Sequence, residues 1–188
     1  DVIMVGEIRD LDTAKTALQS SLTGHLVLST YHASSSAAAL TRMLDAIGEN
    51  PLFINSIRLI TSQRLVRRLD DSTKQSYEPD EATKEFIRKI VGSLPEGVQR
   101  PNLDSIKLYK PGASDANPFG FTGQFAIREF MQMSPDLQAI LRKPPHEITT
   151  YELEAGAIRG GMISLQQGGV LRALAGETTI EEVYRVVG

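Results

Sequence analysis

Val2 to Val5 are four consecutive apolar residues without alternation, a pattern that predicts a strand buried on both faces. Leu26 to Leu28 predict a second such strand, which passes into the polar Ser29 and Thr30. Between them, Ala14, Ala17, Leu18 and Leu22 recur at helical spacing, with Asp12 as the expected N-cap and Gly24 as the stop. Strand, helix and strand within about 30 residues make a βαβ crossover. In open sheets of this class ligands sit outside the carboxyl ends of the strands. Glu7 and His32 both fall at that end.

The pattern continues with a helix carrying Leu40, Met43, Leu44 and Ile47, stopped by Gly48. Asn50-Pro51 reads as an N-cap and first-turn proline opening a third helix through about Ile60. Gln63 to Leu69 alternates as a strand, with Leu65 on one face and Val66 on the other. Residues 70–80 are polar and predict a loop. An amphipathic helix over Glu81–Val91 and a Pro/Gly-rich link to Arg100 follow. Strands are expected at Ile106–Tyr109 and Gln124–Met131, flanking the turn-rich Pro111–Gly123; Met131 and Met133 read as core. The remainder predicts helices: Ser134 to Arg142, Glu147 to Ile158 stopped by Gly160-Gly161, and Leu165 to Ala175 stopped by Gly176. Thr178 to Glu181 form a capping-box pattern before a last helix. The expected division is therefore 1–69, a small insertion module over 70–133, and a helical part over 134–188.

Composition narrows the classes. With 188 residues, 41% hydrophobic and 23% charged, the chain can bury an ordinary globular core. A net charge of −3 gives no global reason to expect nucleic acid. The absence of cysteine excludes disulfides and thiolate metal sites. No apolar run approaches the ~20 residues that span a bilayer. Because the sequence opens inside a buried-type strand, it is expected to be a fragment of a longer sheet.

Three groups of residues carry candidate chemistry. A carboxylate at a buried strand's tip, Glu7, can orient a water, take its proton or hold a hydrated magnesium ion; it can also merely pair with Arg9 or cap the next helix. Arg9 and Asp10 read first as a structural ion pair. His25 and His32 lie at opposite ends of an extended segment, roughly 20 Å apart at ~3.3 Å per residue. They cannot share one reacting group, which disfavours a joint metal site with Glu7. His32 shares the carboxyl end with Glu7, whereas His25 suits a structural hydrogen bond or a subunit contact. Ser29 and Thr30 could report a phosphate's state or only bond backbone. Ser34 to Ser36 read as a helix cap, Arg42 as solvated or functional, and Gln63, Arg64, Arg67 and Arg68 as a solvated basic strand face.

These residues resemble a known family. Asp1 to Asp10 (DVIMVGEIRD) is similar to the Walker B signature of the type II secretion and type IV pilus assembly ATPases, the GspE/PilB group. Thr23 to His32 (TGHLVLSTYH) resembles their histidine box, and Gln63 to Arg67 the strand that follows. Gly161-Met162 and Thr178 to Val186 resemble their tail. The resemblance implies an α/β fold: a partial RecA-like (P-loop NTPase) core with a small insertion module and a helical carboxyl-terminal bundle. It implies a hexameric ATPase that uses ATP and Mg2+ to drive pilus or pseudopilus assembly or type II secretion. Such a protein would be cytoplasmic, peripheral at the inner membrane, and partnered with its own copies and a membrane platform protein, without direct nucleic-acid contact. Carried over, Glu7 is the catalytic, water-activating residue. His32 and Thr30 sense the nucleotide, and Arg9, Asp10 and His25 support them.

Two departures qualify the resemblance. No G-x-x-x-x-G-K-[ST] loop occurs in the sequence, so by itself the chain is expected to bind ATP weakly or not at all. The family's two C-x-x-C pairs, which hold a structural zinc, fall here on Asp70 and Thr73 and on Ala113 and Ala116. The surrounding Gly112, Asn117, Gly120, Phe121 and Gly123 persist. The module is expected without zinc, held by its small core, and more mobile for that loss. Two rivals remain: a non-hydrolysing module for hexamer packing and platform docking, and a free-standing Glu/His metal hydrolase.

Overall fold

Neighbouring apolar runs pair first. The computed structural model describes residues 1–48 and 51–187, without the side chains of 51 and 52. Strand β1 (Val2–Val5) lies parallel to β2 (Leu26–Ser29), with Val2 opposite Leu26 and Val5 opposite Ser29. The crossover is helix α1 (Leu11–Leu22), which packs on β2 and buries Ala14, Ala17 and Leu18. Its N-cap is Asp10, two residues earlier than expected: the Asp10 carboxylate accepts from Thr13 N at 2.8 Å.

The expectation that both strand faces are buried does not hold. Ile3, Val5 and Val27 are half-covered, but Val2 is 64% and Met4 75% exposed, with Leu26 and Leu28 open beside them. The sheet has two strands, and along each the half-covered residues alternate with open ones.

Helix α2 (Ser36–Ile47) starts at Ser35, whose hydroxyl accepts from Ala38 N, and stops at Gly48 with φ 71°. The proposed Asn50 cap lies outside the described residues. Helix α3 (Pro51–Ser56) is shorter than expected, because β3 (Leu59–Leu69) takes over residues the periodicity had left to the helix. There the backbone found a distant partner: Met133 N donates to the Arg58 carbonyl. β3 pairs with β6 (Phe121–Gln132) in a second two-stranded sheet. The expected loop over 70–80 contains a further strand, β4 (Gln75–Tyr77), antiparallel to β5 (Leu108–Lys110). Helix α4 (Glu81–Gly92) forms where its apolar period placed it.

Four helices follow: α5 (Pro135–Leu141), α6 (Thr150–Arg159), α7 (Leu165–Leu174) and α8 (Ile180–Val187). Helix α7 opens with a full capping box, Ser164 and Gln167 each bonding the other's backbone. At α8 the cap sits one residue later than expected. Thr179 Oγ1 accepts from Glu182 N, while Thr178 Oγ1 donates to the Arg67 carbonyl.

The chain forms two compact units, each discontinuous in sequence: residues 1–62 with 130–162, and 63–129 with 163–188. They divide the chain at other places than residues 69 and 133. The first has a core of Leu40, Leu44, Phe53, Met131, Leu137 and Leu153, with Met133 packed against it. In the second, α4 and β5 pack on α7, and Ile87, Leu108, Val170 and Val183 share a core.

Around Asp70, one of the positions onto which the resemblance carries a zinc ligand, a hydrogen-bonded knuckle joins residues 70–72 to 117–120. Asp70 accepts from Ser72 N and Oγ and from Asn117 Nδ2 at 2.6–3.0 Å. Asp70 N in turn donates to the Gly120 carbonyl. The hydrogen bonds from Ser72 and then Asn117 hold the Asp70 carboxyl below its usual range.

Candidate functional site

The first unit delivers its chemistry at the carboxyl ends of β1 and β2. After Val5 the ladder continues: Ile8 N donates to the Thr30 carbonyl at 3.1 Å, and Thr30 Oγ1 donates to the Gly6 carbonyl at 2.7 Å. Thr30 therefore ties the two strand ends together through its backbone and its hydroxyl. That brace sets where the next residues on each side point.

Glu7 and His32 meet there. Glu7 Oε1 lies 3.1 Å from His32 Nε2, and Glu7 Oε2 accepts from Arg9 Nε at 2.6 Å. The Glu7 side chain is 18% exposed, Arg9 77% and His32 89%, so the carboxylate is sheltered beneath two solvent-facing nitrogen bases. The Arg9 hydrogen bond is the main reason the Glu7 carboxyl titrates below its ordinary range. Partial burial opposes that shift, and the charges of Arg9 and His32 reinforce it. The arrangement can hold an ionised carboxylate at a strand tip beside two solvent-facing groups, Arg9 and His32, able to face an anion.

The other candidates divide. Asp10 is spent on the α1 cap: its two oxygens accept from Thr13 N and Thr13 Oγ1, and those bonds lower its carboxyl pKa. His25 stands at the opposite end of β2, where its Nδ1 lies 3.1 Å from Thr23 Oγ1 and 3.2 Å from the Ser20 carbonyl. It does not reach Glu7. Ser29 Oγ bonds only to the neighbouring Thr30 carbonyl among the contacts described. Arg67, read from the sequence as part of a solvated face, is instead engaged with buried Glu182.

Arg42 gains a role that the sequence left open. From α2 it donates to the His32 carbonyl at 2.7 Å, and its guanidinium lies 5.7 Å from the Tyr31 ring centroid. It therefore fastens the segment that presents His32. The available signal was an arginine on one helix face with an aromatic beside the histidine, which is too common to be decisive.

The described residues include no group of three or more His, Asp or Glu able to hold a metal ion. A lone carboxylate with both oxygens engaged is not a metal site in itself. None of the described helices is long and apolar enough to cross a membrane.

Comparison with known proteins places this geometry in context. Type II secretion system protein E of Xanthomonas campestris is 42% identical over 99% of the chain, which covers 31% of that protein. Type IV pilus assembly ATPase PilB of Pseudomonas aeruginosa is 37% identical over 99% of the chain, again covering 31% of its length. The chain thus spans about a third of these relatives. The crystal structure of the Legionella pneumophila ATPase DotB matches 99% of the chain and 38% of its own, at 19% identity and a TM-score of 0.62. That likeness shows the fold, a mixed α/β arrangement consistent with part of a P-loop ATPase. Residues 1–185 match the family described as Type II/IV secretion system protein, and the chain belongs to that family.

Proposed function

We propose that the chain is part of a hexameric ATPase that powers pilus or pseudopilus assembly or type II protein secretion. The observation that carries this reading is the convergence of Glu7 and His32 at 3.1 Å on the tips of adjacent parallel strands. The names of the relatives, a secretion system protein and a pilus assembly ATPase, support it. Residues 1–69 would supply one wall of the nucleotide site, with 70–133 as the insertion module and 134–188 as the helical part.

In this reading Glu7 orients the attacking water and accepts its proton, and the neighbouring Arg9 guanidinium keeps that carboxylate ionised. His32 and Thr30 sense the γ-phosphate: the imidazole is exposed toward solvent, and the Thr30 hydroxyl braces the strand ends that carry both groups. Arg9 and Asp10 shape the turn, and His25 supports the far end of β2. ATP is the substrate. Mg2+ would enter as the companion of its phosphates, where it would neutralise charge, with no residue of this chain proposed as its ligand. The protein would work in the cytoplasm at the inner membrane with a platform protein, and without zinc or direct nucleic-acid contact.

The test is a chimera in which the chain replaces the matching third of the Pseudomonas PilB ATPase. Glu7→Gln is expected to lower ATP turnover by about 100-fold or more, with nucleotide binding largely intact. Normal turnover in that variant would refute Glu7 as the water-activating residue.

A further inference from the structure

The Glu7 carboxylate has both oxygens engaged. Oε2 accepts from Arg9 Nε at 2.6 Å and lies 2.5 Å from Arg9 Nη2, while Oε1 faces His32. The guanidinium thus meets a single carboxylate oxygen with two nitrogens, a charge-assisted contact. It also occupies one of the two oxygens at which a water could sit for its proton to be taken. A base so gripped is held ionised, and it is a weaker base for the same reason.

Nothing else in the surroundings fixes Arg9. It is 77% exposed, and among the described residues its ion pair is with Glu7 alone. The charged and titratable groups around the carboxylate are few. Arg9 and Asp10 come from its own turn, His32 from the segment after β2, and Arg42 of α2 stands behind His32. Asp10 is turned toward Thr13, so it does not compete for Arg9. A guanidinium fits phosphate as readily as carboxylate. An arriving polyphosphate therefore competes with Glu7 for the same donors.

We propose that Arg9 is a positioning residue, holding Glu7 closed until a polyphosphate takes its guanidinium away and frees the carboxylate. The choice of ligand rests on the nucleotide reading above; the clamp itself does not.

The chain, labelled with 13C at its glutamate carboxyls, allows the clamp to be read by NMR titration, with Glu7→Gln identifying the signal. Glu7 is expected to titrate below ordinary glutamates. Arg9→Ala should move it back up toward them, and Arg9→Lys should move it less far. Tripolyphosphate should raise the Glu7 titration in the wild-type chain and change it much less in Arg9→Ala. In the chimera, Arg9→Ala should shift the acid limb of the pH–rate profile to higher pH. An ordinary Glu7 titration that ignores Arg9→Ala would overturn the clamp, and an equal response of both chains to tripolyphosphate would overturn the release. A clamp seen by titration, in a chimera that still hydrolyses ATP with Glu7→Gln, would keep the clamp and remove Glu7 as the water-activating base.

Discussion

Glu182 shows what a single residue can hide in a sequence. It lies 115 positions from Arg67 and reads as one more acid in an amphipathic helix. Folding leaves its side chain 3% exposed, with Arg67 Nε, Nη2 and backbone N, and Arg185 Nε and Nη2, all donating to it. Burial alone would push its carboxyl up, but the hydrogen bonds from Arg185 and Arg67 outweigh it and bring the pKa from 4.5 to about 2. A folded-state pKa below the unfolded one means stability that is complete above about pH 4.5 and is lost as pH falls toward 2. Urea midpoints measured from pH 7 to pH 2.5 should decline through that window, and Glu182→Gln should flatten the decline. Glu182→Ala at pH 7 is expected to cost about 2–3 kcal/mol, from the loss of charge-assisted hydrogen bonds in a sheltered site. By contrast, the pairing of Glu7 with His32 was legible, because both residues lie just past the ends of strands whose apolar runs are plain in the sequence.

At the scale of elements, local pattern succeeded where local physics decides. The β1–α1–β2 unit, α2 with its Gly48 stop, and α4 all stand where periodicity put them. It failed where a distant partner decides. Residues from Leu59 to Ser62 read as helix or linker but join β3, and the polar Gln75-Ser76-Tyr77 becomes a strand because β5 lies beside it. The knuckle around Asp70 combines both cases. Its glycines are conspicuous in the sequence, but the reason for them appears only in space. A Cβ on Gly112 would stand 1.9 Å from the Thr73 carbonyl oxygen, and one on Gly120 2.1 Å from the Gly112 carbonyl. Gly120 also has φ +66°, which side-chain-bearing residues rarely adopt. Gly112→Ala is therefore expected to destabilise the chain by about 2 kcal/mol through backbone displacement, read from urea unfolding. Faster hydrogen exchange at the Thr73 and Asp70 amides should accompany it, since both donate within this knuckle.

For the whole molecule, the sequence conveyed an α/β protein but not its partition into two compact units. Helices α7 and α8 follow α6 directly and look like its continuation. Their buried Val170, Ala173, Ile180 and Val183 nevertheless close the core that contains Ile87, Val91 and Leu108. Apolar period says that a helix has a buried face; it does not say against what. Truncation after Met162 should accordingly strip hydrogen-exchange protection from α4 while leaving that of α5 and α6. Equal loss in all three helices would contradict the partition.

That partition also bears on biosynthesis. A ribosome releases the chain from its amino end, so residues 63–129 emerge well before the helices that complete their core. The first unit can close as soon as residue 162 has cleared the exit tunnel. The second must wait for Ile163 onward, with the apolar faces of Ile87 and Leu108 uncovered in the meantime. Chaperone engagement during translation should therefore concentrate on the nascent segment around α4.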